Sequence, residues 1–329
     1  MVRLALDLMG SDRGPEELSK GALAFLREHE DVSYLLFGKK EVLTPLWKDV
    51  GDSRVTILDA PDVIPMEIKP LDFLRRKESS LYLALQAMKE EKADALVTAG
   101  STPGFVIGST FLLRNLEGVS RAGLCTTMPT ADPKKPSLVL DVGANNVNTC
   151  EDLVGYAHMG RILFSALFPE REAKTYLLTN GTEEGKGPDE IVQAYEILKK
   201  ENFPGFGGNV EARDALDGLH PIIVTGGFAG NVFLKATEGA AHMAGHYLKK
   251  AVTRNLWSKL GYLHLKSGLK EMKKNLDARQ YGGAILLGIN GNVVKGHGNS
   301  DATAFYHAIR VATLAAKADV AKKIQEEIR

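Results

Sequence analysis

Short apolar runs rich in β-branched residues recur along this chain, most of them followed by a helical stretch, and few folds accommodate that rhythm. Runs near Val2–Leu8, Ser33–Phe37, Val55–Leu58, Ala95–Thr98, Gly123–Thr127, Leu138–Asp141, Thr175–Thr179, Ile222–Thr225, Ile285–Leu287 and Val293–Lys295 read as strands. Glu16–Glu28, Ser79–Glu91, Glu151–Leu167 and Glu190–Lys200 read as helices. Strand, helix, strand in succession makes βαβ units, whose parallel sheet needs helices on both faces. The expectation is a single α/β/α domain over residues 1–329 with a mostly parallel sheet. At 329 residues, 44% hydrophobic and 25% charged, the chain can bury an ample core.

Pro221–Ala241 shows the repeating unit most clearly. A β-branched run reaches Thr225, Gly226, Gly227 and Gly230 interrupt it, and a helical pattern starts at Asn231. Such a turn leaves backbone N–H groups at a helix N-terminus, where the dipole favours an anion and glycine permits close approach. Lys235 stands one turn further on. By itself the motif is as readily a tight βα turn without a ligand. Repetition changes its weight. Asp7, Thr98, Asp141, Thr179, Thr225 and Lys295 are each followed by Gly together with Ser, Thr, Asn, Asp or Lys, giving six strand exits of one kind. Gathered along one sheet edge, they predict a polar active-site rim.

Several familiar motifs fail on inspection. Gly181-Thr-Glu-Glu-Gly-Lys-Gly is one residue short of a nucleotide P-loop and lacks Ser or Thr after Lys186. Gly296-His-Gly-Asn-Ser-Asp lacks the third glycine of a dinucleotide fingerprint. His242 and His246 lie one helical turn apart, but Met243 stands where a zinc protease needs Glu, so they read as solvent-facing and no metal site is expected. No Gly-x-Ser-x-Gly elbow is present. Cys125 and Cys150 suggest neither a disulfide framework nor a zinc site and fit a reducing, cytoplasmic setting. The first ten residues read as a strand, not a signal peptide, and no apolar run approaches a membrane span. A formal net charge of zero gives no sign of a nucleic-acid partner.

Composition shifts over residues 241–279, where nine Lys or Arg face only Glu271 and Asp277. Lys249, Lys250, Arg254, Lys259 and Lys266 share this stretch with Trp257 and several leucines. It reads as a basic amphipathic arm of two helices, with a break permitted at Gly261 or Gly268. Such an arm is either a solvated basic face or a docking surface for an acidic partner or anionic headgroups.

Taken together, Asp7-Leu-Met-Gly-Ser-Asp, Leu74-Arg-Arg-Lys, Ala99-Gly-Ser-Thr, Leu140-Asp-Val-Gly-Ala-Asn, Gly181-Thr-Glu-Glu-Gly-Lys-Gly, Gly208-Asn-Val-Glu-Ala-Arg-Asp, Gly227-Phe-Ala-Gly-Asn-Val, Tyr281-Gly-Gly-Ala and His297-Gly-Asn-Ser-Asp resemble, in order and over nearly the whole chain, the bacterial phosphate acyltransferase family, PlsX. The chain departs from the family's usual residues at Arg13 (His), Ser101-Thr102-Pro103 (Asn-Thr-Gly), Gly226 (Asp) and Asn146-Val147 (Val-Asp). The resemblance implies a fold related to isocitrate and isopropylmalate dehydrogenases and to phosphotransacetylase. It also implies a homodimer, no cofactor and peripheral contact with the cytoplasmic membrane. The implied reaction is attack of inorganic phosphate on an acyl-carrier-protein thioester, giving acyl phosphate for phospholipid synthesis. Phosphate is then the nucleophile and no catalytic Ser or Cys is needed.

On that reading Lys186 meets phosphate or oxyanion as a point charge. Asn145 and Asn231 donate to the oxyanion, and His297 moves a proton. Gly227, Gly230, Lys235, Ser101, Thr102 and Ser300 hold phosphate. Each has a plainer rival: Lys186 a solvated loop lysine, Asn145 a turn residue, Asn231 a helix cap, Asp7 a loop support. Two other functions compete, a dehydrogenase on the related fold and a non-catalytic acyl-thioester or carrier-binding relative.

Overall fold

The computed structural model describes residues 1–48, 50–51 and 53–328. Its strands are β1 (Val2–Asp7), β2 (Val32–Gly38), β3 (Val55–Asp59), β4 (Ala95–Thr98), β5 (Gly123–Met128), β6 (Ser137–Leu140), β7 (Thr175–Thr179), β8 (Phe206–Glu211), β9 (Ile222–Val224), β10 (Ala284–Leu287) and β11 (Asn292–Lys295). Its helices are α1 (Gly14–Glu28), α2 (Lys40–Trp47), α3 (Pro70–Arg75), α4 (Ser80–Lys89), α5 (Thr102–Leu112), α6 (Cys150–Leu167), α7 (Asp189–Lys200), α8 (Gly227–Thr253), α9 (Leu256–Asn275), α10 (Ala302–Lys317) and α11 (Val320–Ile328). The strands make one sheet in the order β3-β2-β1-β4-β11-β10-β5-β6-β9-β7-β8.

Strand alternation builds two cores. Leu4 and Leu6 of β1, with Val97 of β4 and Val294 of β11, face α1, α6 and α10. Ala5, Leu96 and Val293 face α3, α4 and α5 on the other side. The result is the expected three-layer, mostly parallel architecture. Each fully buried Leu or Phe contributes about 2 kcal/mol of hydrophobic stabilisation. The helix starts follow local chemistry: Ser79, Ser101 and Asp301 cap α4, α5 and α10 through their side chains, and Thr149 and Asp152 form a capping box on α6.

Strand direction differs from the expected single edge. The strands β3, β2, β1, β4 and β11 are mutually parallel, and so are β6, β9, β7 and β8. Between the two blocks, β10 is antiparallel to both β11 and β5, and β5 is antiparallel to β6. The two blocks therefore run in opposite senses. The exits of β1, β4 and β11 lie on one edge of the sheet, and those of β6, β7 and β9 on the other. The sequence does carry the signal. No helical pattern separates β5 from β6, only a Pro- and Asp-containing turn, and Asn290-Gly291 marks the hairpin between β10 and β11.

The arm also differs in one respect. The break between α8 and α9 falls at Arg254–Asn255, where the Asn255 side chain accepts the Ser258 N–H at 2.8 Å and starts a new helix. Gly261 and Gly268 lie inside α9, with open space where a Cβ would project. An N-cap side chain therefore outweighs the low helix propensity of glycine here. Strand β8, an edge strand with Gly207 and Gly208 in it, was hidden by those glycines.

Candidate active site

The loops leaving β1, β4 and β11 are tied into one rim. Gly296 N–H donates to Thr98 O at 2.7 Å, and Asp12 N–H to Gly298 O at 2.9 Å. Ser11 Oγ also donates to Gly298 O, and Arg13 Nε donates to Asn299 Oδ1 at 2.7 Å. Arg13 thus joins the first loop to the last. Ser101 is fully buried; it caps α5 and donates to Met66 O at 2.8 Å. Thr102 is exposed at the first position of α5. Ser300 is buried, and its hydroxyl donates to His297 O at 2.6 Å, closing the turn that presents the imidazole.

His297 is accessible to solvent, and its Nδ1 accepts the Asn299 N–H. Crowding by protein atoms lowers the imidazole pKa from its ordinary value, and the charges of Lys235 and Lys295 lower it further. His297 is therefore neutral near pH 7, a proton acceptor rather than a donor. At the end of β1, buried Asp7 accepts from Thr98 Oγ1 at 2.7 Å and from Met9 N–H. Desolvation raises its carboxyl to about 6.

A second cluster lies at the exits of β6 and β9, around Asp141. This fully buried carboxylate accepts the N–H groups of Leu124, Gly143, Ala144 and Asn145 at 2.9–3.0 Å. The Asn145 side-chain amide donates to Ala122 O, to Asp141 and to Tyr156 Oη, so in this conformation its hydrogens hold the turn. Asn231 Nδ2 donates to Val142 O at 3.0 Å. Gly227 N–H is held by Asn148 Oδ1 at 2.9 Å, and Gly230 N–H by Gly226 O within the helix. Both glycines serve close packing. A Cβ on Gly230 would lie 1.9 Å from Asp141 O, and one on Gly227 would lie 2.2 Å from Asn145 O. Gly226 has room for a side chain, meeting only Asn148 Oδ1 at 3.4 Å.

Helix α8 joins the two clusters. It starts beside Asp141, and Phe233 and Leu234 pack on the core below α4 and α5. Eight residues from its start, about 12 Å along, Lys235 stands close enough to Lys295 and His297 to depress both. Asn231 and Lys235 are one turn apart on it, and Lys235 pairs with Glu238 at 2.8 Å. Opposite edges of the sheet are thus linked across one face.

Lys186 lies at the exit of β7, the strand beside β9. It is exposed in the loop after β7, its N–H bonded to Glu183 O and its stem against Gly181. No contact within this chain brings it to His297 or Lys235 among the described residues. The sequence reading gave no role to Lys295, which is 92% buried at the end of β11 (8% exposed). A lysine closing a strand whose other members are fully buried was the available signal. Both thiols are unreactive: Cys125 is buried in the sheet, and burial pushes the thiols of Cys125 and Cys150 up.

Beyond Lys235 the arm leaves the body. In α8 only Gly227 and Gly230 are buried, and in α9 no described residue is. Lys249, Lys250, Arg254, Lys259 and Lys266 are exposed beside Trp257 (80% exposed), Tyr247, Leu263 and Leu265. His242 and His246 face solvent, as expected. Among the described residues no helix is long and apolar enough to cross a membrane.

Solved structures of similar fold include two phosphotransacetylases. A phosphotransacetylase from Streptococcus pyogenes aligns with a TM-score of 0.63 at 18% identity, covering 96% of this chain and 94% of its own. The EutD phosphotransacetylase from Staphylococcus aureus aligns with a TM-score of 0.58 at 17% identity over 96% and 94%. Residues 2–323 match the family model described as "Fatty acid synthesis protein". A phosphate acyltransferase of Fervidobacterium nodosum is 39% identical, covering 100% of this chain and 99% of its own, and one of Bacillus pumilus is 37% identical over 100% and 98%. The chain belongs to the fatty acid synthesis protein family and, within it, to the phosphate acyltransferases.

Proposed function

We propose that the protein transfers a fatty acyl group from an acyl-carrier-protein thioester to inorganic phosphate, releasing acyl phosphate for phospholipid synthesis and the carrier thiol. The observation that carries this reading is that Lys295 and His297 at the end of β11 and Lys235 on α8 lie near enough to influence one another electrostatically, in a chain similar throughout to phosphate acyltransferases. A dianion must be held against a thioester carbonyl, and lysine side chains near a neutral imidazole suit that task.

A phosphate oxygen forms the new bond to the carbonyl carbon, the tetrahedral oxyanion collapses, and the C–S bond breaks. The proton of hydrogen phosphate ends on the leaving thiolate, and His297 takes it and delivers it. Lys235 and Thr102 line the phosphate side on this reading, Ser101 and Ser300 hold the loops behind it, and the backbone at Gly227–Asn231 forms the facing wall. Asn231 serves the oxyanion. Asn145 acts by holding Asp141 and so the start of α8. Lys186, for which no contact with His297 or Lys235 is seen within one chain among the described residues, serves the reaction from a second subunit of a homodimer. The basic arm meets the acidic carrier through Lys249, Lys250, Arg254, Trp257, Lys259 and Lys266. Peripheral membrane contact is the competing use of that arm.

The deciding assay mixes long-chain acyl carrier protein, phosphate and protein, and traps acyl phosphate with hydroxylamine. Hydroxamate that needs both phosphate and protein, above a control of hydroxylamine with thioester alone, supports the reaction. Thioester consumption without phosphate dependence, or none at all, rejects it.

A further inference from the structure

One group in the rim has no satisfied counterpart. Asp7, Thr98 and Lys295 are register partners on three adjacent parallel strands. Alternation puts all three on the face of Ala5, Leu96 and Val293, the side of α4 and α5. Their exposures are 2%, 0% and 8%, so this is a polar row at the end of a buried sheet. Two members are provided for. Thr98 Oγ1 donates to Asp7 and accepts from Gly100 N–H at 3.0 Å, and Asp7 also accepts from Met9 N–H.

Lys295 is not. Of its three ammonium hydrogens, one is seen to donate, to Gly296 O at 2.8 Å, and among the described residues no carboxylate forms an ion pair with it. A buried ammonium in that state is costly to keep unless something else meets it. Burial, and then the charge of Lys235, holds its pKa down at about 8, with Asp12 as a weaker opposing influence. Lys235 cannot relieve it and is itself paired with Glu238. Lys295 thus holds a buried charge that no ion pair among the described residues offsets.

We infer that the Lys295 ammonium is a direct ligand of the acceptor phosphate, contacting an oxygen of the anion when it is bound and as it attacks. The inference rests on the phosphate-acyltransfer reading for the identity of the anion. The missing carboxylate is the essential point: a resident counter-ion would compete with the substrate. An empty, uncompensated cation lets binding of a dianion both satisfy the lysine and fix the nucleophile.

The test is direct phosphate binding by the full-length protein without acyl substrate, read by calorimetry and by melting temperature against chloride at equal ionic strength. Lys295→Met keeps the length of the side chain and removes the charge. It should melt no lower than wild type without phosphate, bind phosphate at least ~10-fold more weakly, and lose the phosphate-induced rise in melting temperature. In turnover its kcat/KM for phosphate should fall by ~10², with KM for the acyl thioester unchanged. Wild-type phosphate affinity should fall as pH rises through about 8, as the lysine loses its proton. Asp7, at about 6, and His297, lower than its ordinary value, titrate below that window. The other charged groups that influence Lys295 and His297 are Lys235, Glu238 and Asp12.

Undiminished phosphate affinity in Lys295→Met, or a loss confined to thioester KM, overturns the inference even if wild type makes acyl phosphate. Loss of phosphate binding in the variant, with no acyl phosphate from wild type, supports the inference and rejects the acyl-transfer reading instead. Should Lys295→Met fail to fold, the wild-type pH series decides alone: affinity that does not fall between about pH 7.5 and 9.5 overturns the inference.

Discussion

Two regions of this molecule are basic, and they are built in opposite ways. The rim at the ends of β1, β4 and β11 keeps two charged residues, Asp7 and Lys295, among buried groups, with each loop tied to the next by short hydrogen bonds. The arm of distal α8 and α9 carries its charges in solvent, on helices with almost no buried residue. In the first setting a single charge acts strongly, because little water screens it and its position is fixed. In the second, many charges act weakly, and only together. The difference separates chemistry from docking: substitutions in the rim should change rates at saturating substrate, and substitutions in the arm should change encounter.

The sharpest break of that comparison is His297→Ala. Loss of a positioned proton acceptor should lower phosphate-dependent thioester cleavage by at least ~10² while leaving the melting temperature within a degree or two. Its pH signature follows from the lowered imidazole pKa. Wild-type activity should hold through neutral pH and fall only as acid protonates the ring, below the usual histidine range, and the variant should lose that limb. A variant with wild-type kcat and the same acid limb would remove His297 from the chemistry.

A smaller effect concerns stability. The carboxyl of Asp7 is raised to about 6, above its unfolded value. Between about pH 4 and 6 the folded state therefore holds more protons than the unfolded chain, and stability from this group is full below that window and lost as pH rises through it. The rim carries this strain at neutral pH, roughly 3 kcal/mol in size. Denaturant unfolding of wild type and Asp7→Asn at several pH values isolates it: the wild type should weaken relative to the variant as pH rises through the window. A constant difference would mean that Thr98 and Met9 compensate the charge fully.

How much of this was readable beforehand follows the same division. Strand cores were legible because β-branched runs have no other use in so short a span; Ala95–Thr98 and Thr175–Thr179 have the expected bounds. Gly227 and Gly230 drew notice as a phosphate turn, but sequence spacing could not show that Asp141 O and Asn145 O stand against them. Direction across the sheet was the larger loss. It depends on β10 pairing antiparallel with both neighbours and β5 with β6, and its signal lies in the short helix-free turns before β6 and β11, not in the overall alternation of strands and helices. The one mark that Lys295 carries in the sequence is its place at the end of the apolar strand β11; the residue type itself gives no sign of burial.

The arm gives the weakest effect and the cleanest separation. Replacing Lys249, Lys250, Lys259 and Lys266 by Gln, with Trp257→Ala, removes charge and the most exposed indole without touching a buried residue, so folding should be unaffected. If the arm meets the acidic carrier, KM for acyl carrier protein should rise severalfold at low salt. The gap from wild type should close toward about 0.5 M, where screening reaches only a few ångströms. Turnover of a small acyl thioester, which has no carrier to dock, should match wild type. Unchanged KM with lost binding to anionic vesicles would move the arm to the membrane surface. A changed sedimentation coefficient would move it to the subunit interface. Loss of small-thioester turnover in the monomer-sized species would erase the division, because the arm would then be acting on the rim itself.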